Sequence, residues 1–151
     1  MEFEIRSATS SDVDSLLSLQ QRVHPWAWER RAWCEELGRR QSIVWIVDGG
    51  GGEADALGFL VAWRVLDAIE IVDLGVAPEA RRHQIATALM QTLVALAATS
   101  AVARIALQVR PKNRGAIALY KKLGFHFVGR QSGYYEDGDS ARLMERSVDM
   151  S

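Results

Sequence analysis

The sequence predicts a mixed α/β domain, with four helices around one central sheet that is antiparallel in its early strands and parallel at strands four and five. Three observations predict it. Short β-branched or alternating stretches are interleaved with longer ones whose apolar residues recur every three or four positions, giving the order β-α-α-β-β-β-α-β-α-β-β. The stretches 41–47, 56–66 and 68–76 follow one another with short links, as in an antiparallel meander. A helical stretch then separates 68–76 from a further strand at 103–109, and such a βαβ connection places its two strands parallel.

Each element has its own signal. Phe3 and Ile5 alternate with Glu4 and Arg6 in a half-buried strand over 3–8. Thr9, Ser10 and Ser11 offer capping hydroxyls, Asp12 and Asp14 fall in the first turn, and Val13, Leu16, Leu17, Gln20 and Val23 share one face of the first helix. Residues 24–28 break it, and a second helix over 28–37 stops at Gly38. Four glycines at 49–52 read as a hairpin tip. Gly75, inside the strand 68–76, implies a bulge or a close backbone neighbour. The third helix, over 81–98, presents Ile85, Leu89, Leu93 and Leu96 inward. A fourth helix over 114–123 stops at Gly124, a strand opens at 125–129, and 141–148 closes the sheet.

The totals bound the function. A chain of 151 residues is one domain by prior, residues 1–151, and can bury a real core. With 48% hydrophobic and 25% charged residues it has a soluble globular composition, and a net charge of −1 gives no reason to expect nucleic acid or a membrane surface as partner. Cys34 has no internal partner, so the expectation is a structural thiol in a reducing compartment. The first residues lack a signal-peptide pattern, no apolar run is long enough to span a bilayer, and the cytoplasm is the expected location. Metal ligation is not expected.

The stretch Val76-Ala77-Pro78-Glu79-Ala80-Arg81-Arg82-His83-Gln84-Ile85-Ala86-Thr87 carries the first chemical signal. A strand feeding a helix through a basic turn aims several backbone N–H groups at one spot, and the helix dipole adds positive charge there. Such an end binds phosphate, and Arg81, Arg82 and His83 add side-chain charge. An ordinary βα turn with surface arginines is the alternative. The second signal is Asn113-Arg114-Gly115-Ala116-Ile117-Ala118-Leu119-Tyr120 followed by Leu123-Gly124-Phe125. By spacing alone Asn113 is a helix N-cap and Tyr120 an aromatic about two turns further on, at the core's edge.

The first stretch resembles the acyl-CoA motif of the GNAT acetyltransferase superfamily, Arg/Gln-x-x-Gly-x-Gly/Ala, with Gln84 where the family has its glycine. The second resembles the superfamily's Asn-x-x-Ala-x-x-Leu-Tyr-x-x-x-Gly-Phe segment at every defining position. The resemblance runs from about Ile5 to Met144 and is nearest to the ribosomal-protein alanine N-acetyltransferases, through His24-Pro25-Trp26-Ala27-Trp28 and through Gly133-Tyr134-Tyr135 with Asp139 to Met144.

The resemblance implies an acetyl-CoA-dependent N-acetyltransferase. The donor's diphosphate would lie on Arg81, Arg82, His83, Gln84, Ile85, Ala86 and Thr87, and its arm along Leu74 and Val76. Asn113 and Tyr120 would touch the donor, with Tyr120 protonating the departing thiolate, and Trp26, Tyr134 and Tyr135 would bind the acceptor. The nearest branch carries a glutamate just before Val-Arg on strand five, where this chain has Gln108. Glu70 is the substitute base implied by the lysine-acetylating branch, Asp73 the runner-up, and a solvated strand-start carboxylate the alternative for Glu70.

A free α-amine, with pKa about 8, costs about 1.4 kcal/mol to present neutral near pH 7; a lysine, with pKa about 10.4, costs about 4.6. Loss of the strand-five glutamate therefore suits an α-amine. A protein or peptide N-terminus is the expected acceptor, with the enzyme a monomer or weak homodimer. A small-amine acetyltransferase and a weakly catalytic acyl-CoA-binding module are the alternatives.

Overall fold

The structure is a computed structural model that describes residues 2–24, 27–49, 56–81, 84–135 and 137–148. Its strands are β1 (Phe3–Ser7), β2 (Ser42–Gly49), β3 (Gly58–Val65), β4 (Ala68–Val76), β5 (Arg104–Val109), β6 (His126–Gln131) and β7 (Ala141–Ser147). The helices are α1 (Val13–Val23), α2 (Arg30–Leu37), α3 (Ile85–Ala98) and α4 (Arg114–Lys122), with 3-10 turns at Ser10–Asp12 and Pro78–Ala80. The strands form one sheet in the order β1-β2-β3-β4-β5-β7-β6. The element order and the mixed sheet are those read from the sequence. The chain divides into two compact units, Met1–Arg64 with Val72–Leu89, and Val65–Ile71 with Met90–Ser151.

In the first unit β1 pairs antiparallel with β2, from Phe3↔Gly49 to Ser7↔Trp45, and β2 with β3, from Ser42↔Trp63 to Val47↔Gly58. Leu16, Leu19, Trp33, Ile46, Phe59 and Leu60 are fully buried and form its core. Gly75 belongs to this packing: a Cβ there would stand 2.4 Å from Phe59 Cε1, so the glycine makes room for an aromatic side chain rather than for the close backbone neighbour the sequence suggested. An ion-pair network ties the first strand to the first turn. Arg6 donates to both oxygens of Asp12, at 2.8 and 2.9 Å, and its Nε donates to Asp48 at 2.5 Å.

In the second unit β4 runs parallel to β5, from Ala68↔Arg104 to Ile71↔Leu107. Strand β7 is antiparallel to both β5 and β6, and a register shift between Phe127 and Gly129 sets Val128 off as a bulge. Ile69, Met90, Leu93, Ile105 and Met144 are buried here.

Several boundaries differ from the sequence expectation for identifiable reasons. Helix α2 starts at Arg30 rather than 28, because the Trp28 N–H donates to Gln20 Oε1 at 2.7 Å and Glu29 is extended. Helix α3 starts at Ile85 rather than 81, because Pro78–Ala80 form a 3-10 turn, Arg81 is extended, and Gln84 has φ +60°. The inner face of α3 takes Met90 and Ala97 in place of Leu96, and that of α1 takes Leu19 in place of Leu17. Strand β3 ends at Val65, one residue early, since Leu66 has φ +55° and turns the chain into β4. Cys34 is exposed rather than structural. Among the described residues no helix is long and apolar enough to cross a membrane, and no His/Cys/Asp/Glu group could hold a metal ion. The expected glycine hairpin tip falls mostly outside the described residues.

Candidate active site

The basic turn after β4 keeps the backbone its motif calls for. Gln84, at the motif's glycine position, sits in the left-handed region at φ +60°, where glycine is at home and other residues are strained. Its carbonyl accepts from Ala88 N at 3.0 Å, so the helix is launched from this residue. The amides of Ile85, Ala86 and Thr87 follow and have no acceptor within the helix. The Ile85 side chain is buried, Ala86 and Thr87 are half-buried, and Arg81 is exposed. The turn thus offers a diphosphate backbone donors and the Arg81 cation, and these residues suit the donor. Arg82 and His83 lie outside the described residues, as does Trp26.

Asp73 is built into a polar cluster that sequence reasoning missed. Its Oδ2 accepts from Gln20 Nε2 at 3.0 Å, and its Oδ1 accepts from the Leu74 N–H at 2.9 Å and meets His24 Nε2 at 2.8 Å. Gln20 is wholly buried, and its Oε1 takes the N–H of Trp28 and, at 3.1 Å, that of the Trp33 indole. The cluster ties the end of α1 and the start of the connection to α2 against the second half of β4. The signal was a glutamine on the apolar face of α1. Asp73 ties these elements together through three hydrogen bonds.

Glu70 lies on the other side of the alternation. From Ile69 onward along β4 the buried residues are Ile69, Ile71, Asp73 and Gly75, while Glu70, Val72, Leu74 and Val76 are half-buried. Glu70 pairs with Ala106, and Gln108 stands two residues along β5 on the same face. The candidate base and the glutamine that replaces the branch's glutamate therefore share a face.

Tyr120 is buried, 8% exposed, near the end of α4, with its ring 5.8 Å from that of Phe125. Its carbonyl accepts the N–H of Leu123 and Phe125, which fixes the residue at the point where the helix ends. Asn113 caps α4: its Oδ1 accepts from Ala116 N at 3.2 Å, as its spacing predicted, which leaves the side-chain Nδ2 for any contact with the donor. Tyr134 and Tyr135 meet edge to face at 4.9 Å, Tyr134 exposed and Tyr135 half-buried.

Arg110, just after β5, organises this tyrosine pair. Its Cζ lies 3.9 Å from the Tyr135 ring centre, and its Nη1 donates to Asp137 at 2.7 Å and Asp139 at 3.1 Å. Burial raises the Tyr135 hydroxyl above its ordinary pKa, opposed by the guanidinium. The Asp139 N–H, followed by Arg110, holds Asp137 below the usual carboxylate range. The Tyr135 N–H donates to Asp139 O, closing the loop on itself. An arginine at a strand end with two aspartates in a later loop was the available signal.

The model of the acetyltransferase (GNAT) family matches residues 11–125. A ribosomal protein bS18-alanine N-acetyltransferase of Escherichia coli is 28% identical over 135 residues, 89% of this chain and 88% of that protein. An N-alpha-acetyltransferase of Sulfurisphaera tokodaii is 28% identical over 156 residues, with 95% and 92% covered. The crystal structure of the ribosomal-protein-S18-alanine N-acetyltransferase from Escherichia coli superposes with a TM-score of 0.88 at 26% identity, covering 99% of this chain and 96% of that one. The cradle after β4, the Asn113–Tyr120 helix and this likeness agree: the chain belongs to the acetyltransferase (GNAT) family and is an acetyl-CoA-dependent N-acetyltransferase.

Proposed function

We propose that this enzyme acetylates the N-terminal α-amine of a protein or peptide, by direct attack with donor and acceptor bound together. The observation that carries the reading is the likeness, over nearly the full length of both chains, to an enzyme named for acetylating the alanine of ribosomal protein S18. The whole chain acts as one acetyltransferase domain, in the cytoplasm, as a monomer or weak homodimer.

Acetyl-CoA supplies the activated acetyl group. The backbone N–H groups of Gln84, Ile85, Ala86 and Thr87, with Arg81, Arg82 and His83, hold its diphosphate. Leu74 and Val76 lie along its arm; because the Leu74 N–H already serves Asp73, polarising the carbonyl falls to the Val76 N–H. Asn113 Nδ2 adds a contact. Glu70 takes the proton from the amine, directly or through water, and Tyr120 gives one to the departing sulfur. Trp26, Tyr134 and Tyr135 shape the acceptor's place. Glu70 is preferred over Asp73 because three hydrogen bonds commit Asp73 to the Gln20 and His24 cluster.

The test is turnover of acetyl-CoA with peptides of varied first residue beside small amines such as polyamines and amino acids. Acetylated peptide N-termini are expected. Turnover confined to small amines would replace this reading with a small-molecule enzyme. CoA binding without turnover of any amine would leave an acyl-CoA-binding module.

A further inference from the structure

A cleft of about 520 Å³ opens beside the β6–β7 loop, lined by Lys112, Arg130, Asp139, Ser140 and Arg142 among others. Its charge is lopsided. Of the described lining residues three are cationic and one is a carboxylate, and that carboxylate, Asp139, already accepts from Arg110 Nη1 at 3.1 Å. Arg130 and Arg142 are direct cross-strand partners on β6 and β7. Like charges facing one another across an antiparallel pair destabilise a sheet, so the arrangement costs stability and asks for a reason.

Both guanidinium groups are held in place. Arg130 Nη2 donates to Ser140 Oγ at 2.9 Å. Arg142 stacks 4.1 Å from the centre of the Phe127 ring, which Lys121 Nζ also approaches at 4.8 Å. A guanidinium fork matches a carboxylate in two-point fashion, and a pair already oriented loses less freedom on binding one.

We propose that this cleft is an anion subsite that takes an Asp or Glu side chain of the acceptor, a few residues downstream of the amine; the proposal rests on the peptide α-amine reading above. The cleft shares Asp139 with the Arg110 cluster that holds Tyr135, a residue the reading above gives to the acceptor. An extended peptide advances about 3.3 Å per residue, so a chain lying on the tyrosines reaches a neighbouring cleft within a few residues.

The experiment uses the full chain and peptides identical except for one downstream residue, Glu, Gln or Lys. At low salt kcat/KM should fall in that order, with Glu about 1.5- to fivefold over Gln, as expected for solvent-exposed charge pairs. The preference should shrink as salt rises. Arg130→Gln, and Arg130→Gln with Arg142→Gln, should bring the Glu/Gln ratio towards one, the double variant further. Because Arg130 is exposed, the single variant retains a readout if the double variant folds poorly. A donor lacking the 3′-phosphate should leave the Glu preference intact. A flat wild-type series at low salt overturns the proposal while leaving α-amine acetylation standing. So does a variant effect that appears only as a raised KM for acetyl-CoA, which would give the cleft to the donor. Turnover of small amines without any peptide would overturn the α-amine reading and this assignment together.

Discussion

Gln84→Gly tests how the cradle is built. Gln84 holds φ +60°, a conformation that costs an L-residue about 1–2 kcal/mol. Glycine removes that cost but gives back about 0.5–1 kcal/mol through the freedom it gains in the unfolded chain. The Gln84 side chain is exposed, so its loss is nearly neutral. The net is a stabilisation of about 0.5–1 kcal/mol, which in a domain of this size raises Tm by about 1–4 °C. Gln84→Ala is the control: it removes the side chain and keeps the strain, and its Tm should stay within about 1 °C of the parent. Thermal unfolding of the three proteins measures this. Calorimetric titration with CoA on the same samples should show affinity unchanged or tighter in Gln84→Gly, since the diphosphate gains closer backbone approach. A glycine variant no more stable than the alanine variant would refute the strain argument. A large loss of CoA affinity would assign the Gln84 side chain a direct contact.

Three further outcomes follow from the same geometry. Tyr120→Phe should lower turnover about ten- to a thousand-fold with CoA affinity little changed, as steady-state kinetics and calorimetry would show; unchanged turnover with chemistry rate-limiting returns Tyr120 to packing against Phe125. Glu70→Gln should lower activity near neutral pH and recover much of it at higher pH, where solvent supplies the neutral amine; an unchanged pH–rate profile removes Glu70 as the base. Hydrogen bonding to Arg6, chiefly, lowers the Asp12 pKa in the folded protein. Its contribution to stability is therefore present above the unfolded carboxyl pKa, about 3.9, and is lost as pH falls through the folded value. Arg6→Gln should lower Tm at neutral pH and narrow its gap to the parent in acid; a gap constant with pH contradicts the assignment.

The element order along the chain, the parallel βαβ pair and Ala68–Val76 were legible because period, turn residues and link lengths are local signals, whereas the place of β7 between β5 and β6 was not. The start of α3 was not, since a left-handed Gln84 leaves no mark on hydrophobic periodicity. Asn113 was readable as a cap from its position alone. Gln20 on the apolar face of α1 was a signal, but its partners were not readable, because the cluster joins residues about fifty positions apart. Arg110 is the arginine of the Val-Arg pair after Gln108, but its partners Asp137 and Asp139 lie in a loop whose folding-back no spacing rule predicts. The two tyrosines were found by resemblance, and their edge-to-face contact required coordinates.

The central claim is that the acceptor is an N-terminal α-amine. One peptide carrying both a free N-terminus and an internal lysine, incubated with acetyl-CoA and mapped by tandem mass spectrometry, tests it within a single molecule. The account predicts acetyl on the α-amine and an unmodified lysine, with a rate that levels off near about pH 8, where the α-amine becomes neutral. Acetyl on the lysine, with a rate still climbing towards about pH 10, would contradict it.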